Sequence, residues 1–430
     1  MSTSPDSAEK SARQSIFTAP AIAWALYDLA NTVFSMNIVS LYFGLWVVGD
    51  MHGRDSDYAL ANSLSMAVMF ASAPFIGALS DQTRRRIPFL VVTTVVCVAF
   101  TALLGTGSLL TSLIFFGIAN YFYQAGLILY DALLPTVSTP ETRGRVGGFG
   151  IGLAYLGSFV GVGAGLLILA AVPDGKPIVF RVSAALFLLF ALPCFFFVRE
   201  RARPDLADFG WHSLGLAWRQ LRQTASRAAD YPNLTRFLIG RVFYTDAANT
   251  LIAFMGIYVT REVGFTESQG QIVLLVGIVA AIIGGFTWGT VVDRIGPKRT
   301  LNWVLGLWVV TFALAVGVAV IPLPPAVFWL VAPLAGVALG GTWSADRPLM
   351  LRLSPPRYLG QFYGLYAMVG RFAAIIGPLI WAATVDWLRL GRPVAVASLA
   401  VMVVISYFIL RPVSDEMRPW RPDELPPEES

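Results

Sequence analysis

The chain is poor in charge. Only 13% of its 430 residues are Asp, Glu, Lys or Arg, roughly half the share of a soluble globular protein. Histidine and cysteine are nearly absent, with two of each. His52 and His212 fall in loops, while Cys97 and Cys194 lie inside apolar runs. A His-based metal site, an imidazole proton relay and a disulfide framework are therefore not expected. No Gly-x4-Gly-Lys-Ser/Thr phosphate loop occurs, which argues against ATP as the direct energy source. No Ser/His/Asp or Cys/His set can be assembled at one depth of the apolar runs, so neither an enzyme nor a bound cofactor is expected. The polar first 19 residues lack the apolar core of a cleavable signal.

What the chain has is apolar sequence in long blocks: 56% of residues are hydrophobic and mean hydropathy is +0.66. About 20 consecutive apolar residues cross a bilayer as a helix, and helices satisfy their own backbone groups in lipid. The short alternating strands of a β-barrel are absent. Twelve spans are predicted, near 20–48, 59–80, 88–106, 111–134, 146–172 and 177–198, then 237–259, 268–292, 300–321, 326–350, 361–385 and 393–411. The expected class is an all-α membrane protein with twelve transmembrane helices in two pseudo-symmetric six-helix bundles, 20–198 and 237–411. A tail, 1–19, precedes them, a linker, 199–236, joins them, and a Pro- and Glu-rich tail, 412–430, reads as disordered.

The net charge of +5 is explained by where the charges fall. Of 31 lysines and arginines, only Arg54, Lys176, Arg261, Arg389 and Arg392 sit in loops on one face, and most of the rest sit in those on the other. The positive-inside rule then places both termini in the cytoplasm, in the plasma membrane of the cell, and no nucleic-acid partner is expected. In the linker, Leu214, Trp218 and Leu221 recur at helical spacing among Arg219, Arg222 and Arg227. That pattern predicts a helix lying on lipid at the inner leaflet.

Three features repeat in order at nearly constant offset. Tyr27, Asp28, Asn31 and Thr32 match Tyr244, Asp246, Asn249 and Thr250. Gly77 and Asp81, followed by Arg84–Arg86, match Gly289, Asp293 and Arg294, followed by Lys298 and Arg299. Asp131, Ser138, Pro140, Gly144 and Gly148 match Asp346, Ser354, Pro356, Gly360 and Gly364. Two halves of like orientation are related by an axis along the membrane normal, which places a pathway and a solute site between them.

The stretch Gly289-Thr-Val-Val-Asp293-Arg294-Ile-Gly296-Pro-Lys298-Arg299 is similar to the signature loop of the major facilitator superfamily. The first copy departs from it at Gln82 and Arg84. The stretch Tyr27-Asp28-Leu-Ala30-Asn31-Thr32-Val-Phe34, with Tyr244-Thr-Asp246-Ala-Ala-Asn249-Thr250, resembles the branch holding the fungal autophagy-related vacuolar effluxers and their bacterial relatives. Leu29 stands where an aromatic is common in that branch. The resemblance covers essentially the whole chain and implies alternating-access transport, with amino-acid efflux in the fungal members. It also implies that Asp81 and Asp293 hold the outward-facing state, while basic residues of the loop such as Arg294 brace the inner gate.

Ionisable groups at membrane depth are costly and mark function. Asp28 and Asp246 sit about 12–14 Å into their helices at 1.5 Å per residue. They read as proton or ion carriers, or else as structural carboxylates paired with Arg241, Arg371 or a backbone group. Asn31 and Asn249 share their faces. Arg371, near mid-depth, reads as a clamp for a substrate carboxylate or as a neutraliser of an aspartate. Tyr123, Gln124, Trp343 and Tyr363 are candidate cavity liners, with plain packing as the alternative. Asp131, Asp346 and Arg347, nearer the inner ends, read as an inner-gate network. Gly157, Gly161 and Gly165 allow close helix approach, and a surface along which the halves slide is expected there. The expected activity is secondary transport of a small polar or zwitterionic, amino-acid-like solute by a monomer, with proton coupling a possibility. A broad drug or metabolite exporter is the alternative, and a lipid scramblase lies outside that class.

Overall fold

The computed structural model describes residues 17–82, 85–139, 142–172, 174–200, 219, 222–224, 226–321, 324–414 and 416. Among these, every regular element is helical. Eleven helices are long and apolar enough to cross a membrane, and a shorter apolar one, Ile87–Ala102, completes the set of twelve. We number them α1 (Ala19–Asp50), α2 (Asp55–Gln82), α3 (Ile87–Ala102), α4 (Leu109–Asp131), α5 (Arg143–Ala171) and α6 (Lys176–Phe197). The second set is α7 (Pro232–Arg261), α8 (Glu267–Ile295), α9 (Pro297–Val320) and α10 (Phe328–Leu353), followed by α11 (Leu359–Trp387, in three segments) and α12 (Arg392–Leu410).

Local chemistry sets the ends. Ser108 accepts from the Thr111 N–H at the start of α4, and Thr266 and Gln269 form a reciprocal capping box on α8. Gly105 and Gly107, both at φ +78°, turn the chain between α3 and α4, a conformation glycine adopts without steric cost. The side chains invert the soluble pattern. Phe286, Leu167 and Phe196 are 78%, 75% and 71% exposed, while Asn120, Gln271 and Asp346 are fully buried. Large apolar groups on the outside of a helical bundle are what lipid requires.

Within the first half, α1 packs on α5 and α6; within the second, α7 packs on α12 and α8 on α10. The halves meet through α1 with α7, α2 with α11, and α5 with α8. The last two pairs are equivalent under the two-fold that exchanges the halves. The glycine stripe of α5 lies inside one half, against α1. A Cβ on Gly157 would come within 2.5 Å of the Leu29 carbonyl, and one on Gly165 would collide with the Tyr42 hydroxyl. The expectation that this stripe lets halves slide is therefore corrected: it fixes α1 to α5.

Most of the predicted linker, with Leu214, Trp218 and Leu221, and residues 417–430 of the tail lie outside the described residues. Where the tail is described it packs: Val413 is buried, and the Asn233 amide donates to the Ser414 carbonyl at 3.4 Å.

Candidate functional site

A cavity of about 320 Å³ lies between the halves. Tyr123 and Gln124 of α4 line it from one half, and Asn249 of α7 with Arg371 of α11 from the other. Those four side chains came from the sequence. Asn62 of α2 and Asn120 of α4 line it as well and were not anticipated, although each is an amide within an apolar run. The Asn120 amide donates to Asn62 Oδ1 at 3.1 Å and to Ser65 at 2.8 Å, which leaves its own oxygen buried without a partner. Arg371 makes no ion pair among the described residues, and its Nε is buried without a hydrogen bond. Asp131 interacts with it electrostatically at longer range.

The backbone explains where Arg371 sits. Proline 378 has no N–H and its ring crowds the preceding turn, and α11 breaks between Phe372 and Ile376. Tight turns replace the helical pattern there, with the Ala374 N–H on the Arg371 carbonyl and the Ile375 N–H on that of Phe372. Arg371 is the next-to-last residue of the segment before this break. Just after it, the Gly377 N–H donates to Asp246 Oδ1 at 2.9 Å. The 361–385 stretch had been expected as one unbroken helix; the pair Gly377-Pro378 was the signal for the break.

Asp246 thus takes the backbone alternative, not an arginine. It is fully buried, Thr250 donates to the same oxygen at 3.5 Å, and Oδ2 has no partner. Arg241 pairs instead with Asp346 at 3.0 Å. Asp346 also accepts from Tyr244 at 2.5 Å and Tyr366 at 2.6 Å, and the Arg241 guanidinium lies 3.7 Å from the Tyr366 ring centroid. Asp346 is fully buried inside the second half, so its expected place in an inner-gate network is corrected to an internal brace between α7, α10 and α11.

Its first-half counterpart behaves differently. Asp131 is exposed, and the surrounding positions are aromatic. Trp24 stacks on Tyr130 at 4.7 Å and donates to its carbonyl at 3.2 Å, and Tyr27 stacks on Tyr130 at 5.1 Å. Asp131 interacts electrostatically with Arg371 and Arg347 of the other half and with Asp28. Asp28 is half-buried and does not line the cavity. Nor does Asn31, whose amide is buried with neither atom bonded; the expected symmetry with Asn249 fails. Trp343 and Tyr363 are half-buried away from the cavity lining, and Tyr363 packs on Tyr366 at 5.7 Å.

One end of the molecule is sealed between the halves by polar groups of which only Lys176 and Arg392 stood out in the sequence, as loop charges. Asp55 of α2 accepts from Arg392 at 2.8 and 2.9 Å and from Trp381 Nε1 at 2.9 Å. Arg392 also reaches Glu262 at 3.0 Å. The Ser56 N–H donates to Asp386 at 2.5 Å, and Lys176 bridges Asp50 at 3.1 Å and Glu267 at 2.7 Å. At the other end Asp131, Asp293, Arg294 and Arg347 are exposed, and none makes an ion pair among the described residues. The side chain of Asp81 lies outside the description. The ion pairs that join the halves among the described residues, Lys176–Glu267 and Asp55–Arg392, both lie at one end.

The profile of the family described as "Vacuole effluxer Atg22 like" matches residues 46–417. A Bacillus subtilis protein named an uncharacterized MFS-type transporter, YxiO, is 26% identical over 421 residues, 93% of this chain and 96% of that one. Autophagy-related protein 22-1 of Penicillium rubens is 25% identical over 297 residues, 63% of this chain and 49% of that one. Among solved structures, a D-xylose–proton symporter superposes with TM-score 0.71 at 15% identity, over 94% of this chain and all of the other. A bacterial homologue of the lysosomal transporter Spinster, inward-facing and occupied, gives 0.66 at 14% identity, over 98% and 100%. At such identities the structures speak for the fold, and the fold is that of major facilitator transporters. The chain belongs to the vacuole-effluxer Atg22-like family.

Proposed function

We propose that the chain is a secondary active transporter of a small polar or zwitterionic organic solute that carries a carboxylate, with amino acids among the first to try. The observation that carries this reading is the polar cavity between the halves, which Arg371 lines with no ion pair among the described residues. A guanidinium so placed binds a carboxylate bidentately, and Asn62, Asn120, Asn249, Gln124 and Tyr123 supply neutral hydrogen-bonding groups around it. Rocking of the halves, with the Asp55–Arg392 seal broken at one end and closure at the other, exposes the cavity alternately. Asp28 and Asp246 are the coupling carboxylates in this reading. The bare Oδ2 of Asp246 is the position for a proton, and Asp28 communicates with the cavity end through Asp131. The protein works as a monomer in the plasma membrane with both termini cytoplasmic, so the end opposite the Asp55–Arg392 seal faces the cytoplasm, and it engages lipid but no nucleic acid. The apolar cavity described next would by itself favour a broad-specificity exporter; Arg371 favours a defined anionic group.

Uptake into proteoliposomes across a panel of amino acids and other carboxylates, with and without a pH gradient, tests this reading. Accumulation above that of empty vesicles is expected, with affinity falling at least tenfold in Arg371→Lys. Failure of every solute to accumulate removes the transport reading, and unchanged affinity in Arg371→Lys removes the clamp.

A further inference from the structure

Beside the polar cavity lies a second, of about 300 Å³, with almost wholly apolar walls. Ile151 and Ala154 of α5 line it together with Leu274 and Ile278 of α8, and Trp308 and Leu339 complete it. Ser35 and Met36 of α1 wall both cavities, so a polar and an apolar chamber adjoin at one turn. That turn opens the π-helical stretch Ser35–Tyr42, a winding frequent at functional sites. Charge restricts what fills the pair. Among the described residues, Arg371 offers the polar chamber a cation without an ion pair, and no Asp or Glu lines either chamber. A ligand carboxylate is met there, and a ligand ammonium finds no counter-charge against which to offset its desolvation.

We propose, resting on the transport reading above, that the cargo is an amphipathic organic carboxylate. Arg371 holds the carboxylate, and the apolar chain passes Ser35 and Met36 into the chamber between α5 and α8. An α-amino group adds nothing to recognition. Straight-chain acids then gain affinity as methylenes leave water, about fourfold for each one buried.

The test uses the full chain in lipid nanodiscs, titrated with straight-chain carboxylates of increasing length, the matching 2-amino acids and the matching primary amides, with thermal shift as readout. The amides partition into lipid but lack the charge, so they control for non-specific uptake by the disc. Affinity is expected to rise about fourfold per methylene until the chamber is full, to the same extent with and without the amino group. Amides should bind at least tenfold more weakly. Ala154→Phe, or Ile278→Phe should the first not fold, flattens the length dependence, and Arg371→Gln erases the difference between acid and amide. Binding confined to 2-amino acids, affinity independent of length, or acids and amides binding alike would each overturn the inference. Any of these leaves the transport reading standing so long as proteoliposomes accumulate some solute. Only the absence of all uptake removes both.

Discussion

Asp246 and Gly377 illustrate how much one close approach decides. A Cβ on Gly377 would lie 2.6 Å from Asp246 Oδ1 and would collide with the Thr250 hydroxyl. Gly377→Ala is therefore expected to push α11 off α7, at a cost of about 1–3 kcal/mol, and to remove the hydrogen bond that orients the carboxylate. Thermal unfolding of the purified variant, read alongside its uptake, checks both effects. For coupling, Asp28→Asn and Asp246→Asn are each expected to abolish the response of uptake to an imposed pH gradient. Asn mimics the protonated group and cannot cycle; a variant that keeps both uptake and its pH response would remove that aspartate from the coupling path. Of the candidate residues, those legible in sequence were polar groups standing out from apolar runs, such as Arg371, Asn249 and Gln124. Asn62 and Asn120 carried the same signal, an amide within an apolar run, and were not singled out.

At the scale of elements, equivalent positions in the two halves have diverged in chemistry. The second half braces α7 to α10 with a buried ion pair, Arg241–Asp346, where the first half stacks Trp24 and Tyr27 on Tyr130. Asp346→Asn leaves Arg241 buried and unpaired, so a loss of about 3–5 kcal/mol is expected. Adding Arg241→Gln should recover much of it. Asp131→Asn, at an exposed position, should change stability by no more than about 0.5 kcal/mol. Denaturation of the three variants beside the unaltered chain tests the contrast. Duplication was readable because Asp-x-x-Asn and the gate loops recur at one offset. The divergence was not, because the partner of Asp346 lies 105 residues away and nothing in either segment names it. The break in α11 was readable in principle, from Gly377-Pro378, but hydropathy runs through it without interruption.

For the whole molecule, the fold followed from hydropathy and charge placement, since lipid leaves few solutions for twelve apolar blocks of about the right length. What hydropathy cannot give is the state. The seal depends on Asp55 meeting Arg392 across 337 positions, on Ser56 meeting Asp386 and on Lys176 meeting Glu267. In the sequence these are lone charges at helix ends. Asp55 is almost fully buried and Arg392 largely so, so neutralising either leaves the other charge poorly hydrated and weakens the closed end. Joining Asp55→Cys to Arg392→Cys with a reducible bifunctional thiol reagent is expected to stop uptake until the link is reduced.

Transport as proposed requires that one cavity between the halves open to one side at a time. Labelling of Asn249→Cys by a membrane-impermeant maleimide, applied from each side of oriented vesicles, tests it without knowledge of the cargo, since Cys97 and Cys194 are buried. With the native seal, labelling is predicted only from the side of Asp131 and Arg347. With Arg392→Gln added, labelling is predicted from the opposite side as well. Labelling from neither side, or an accessibility indifferent to the seal, would contradict the account.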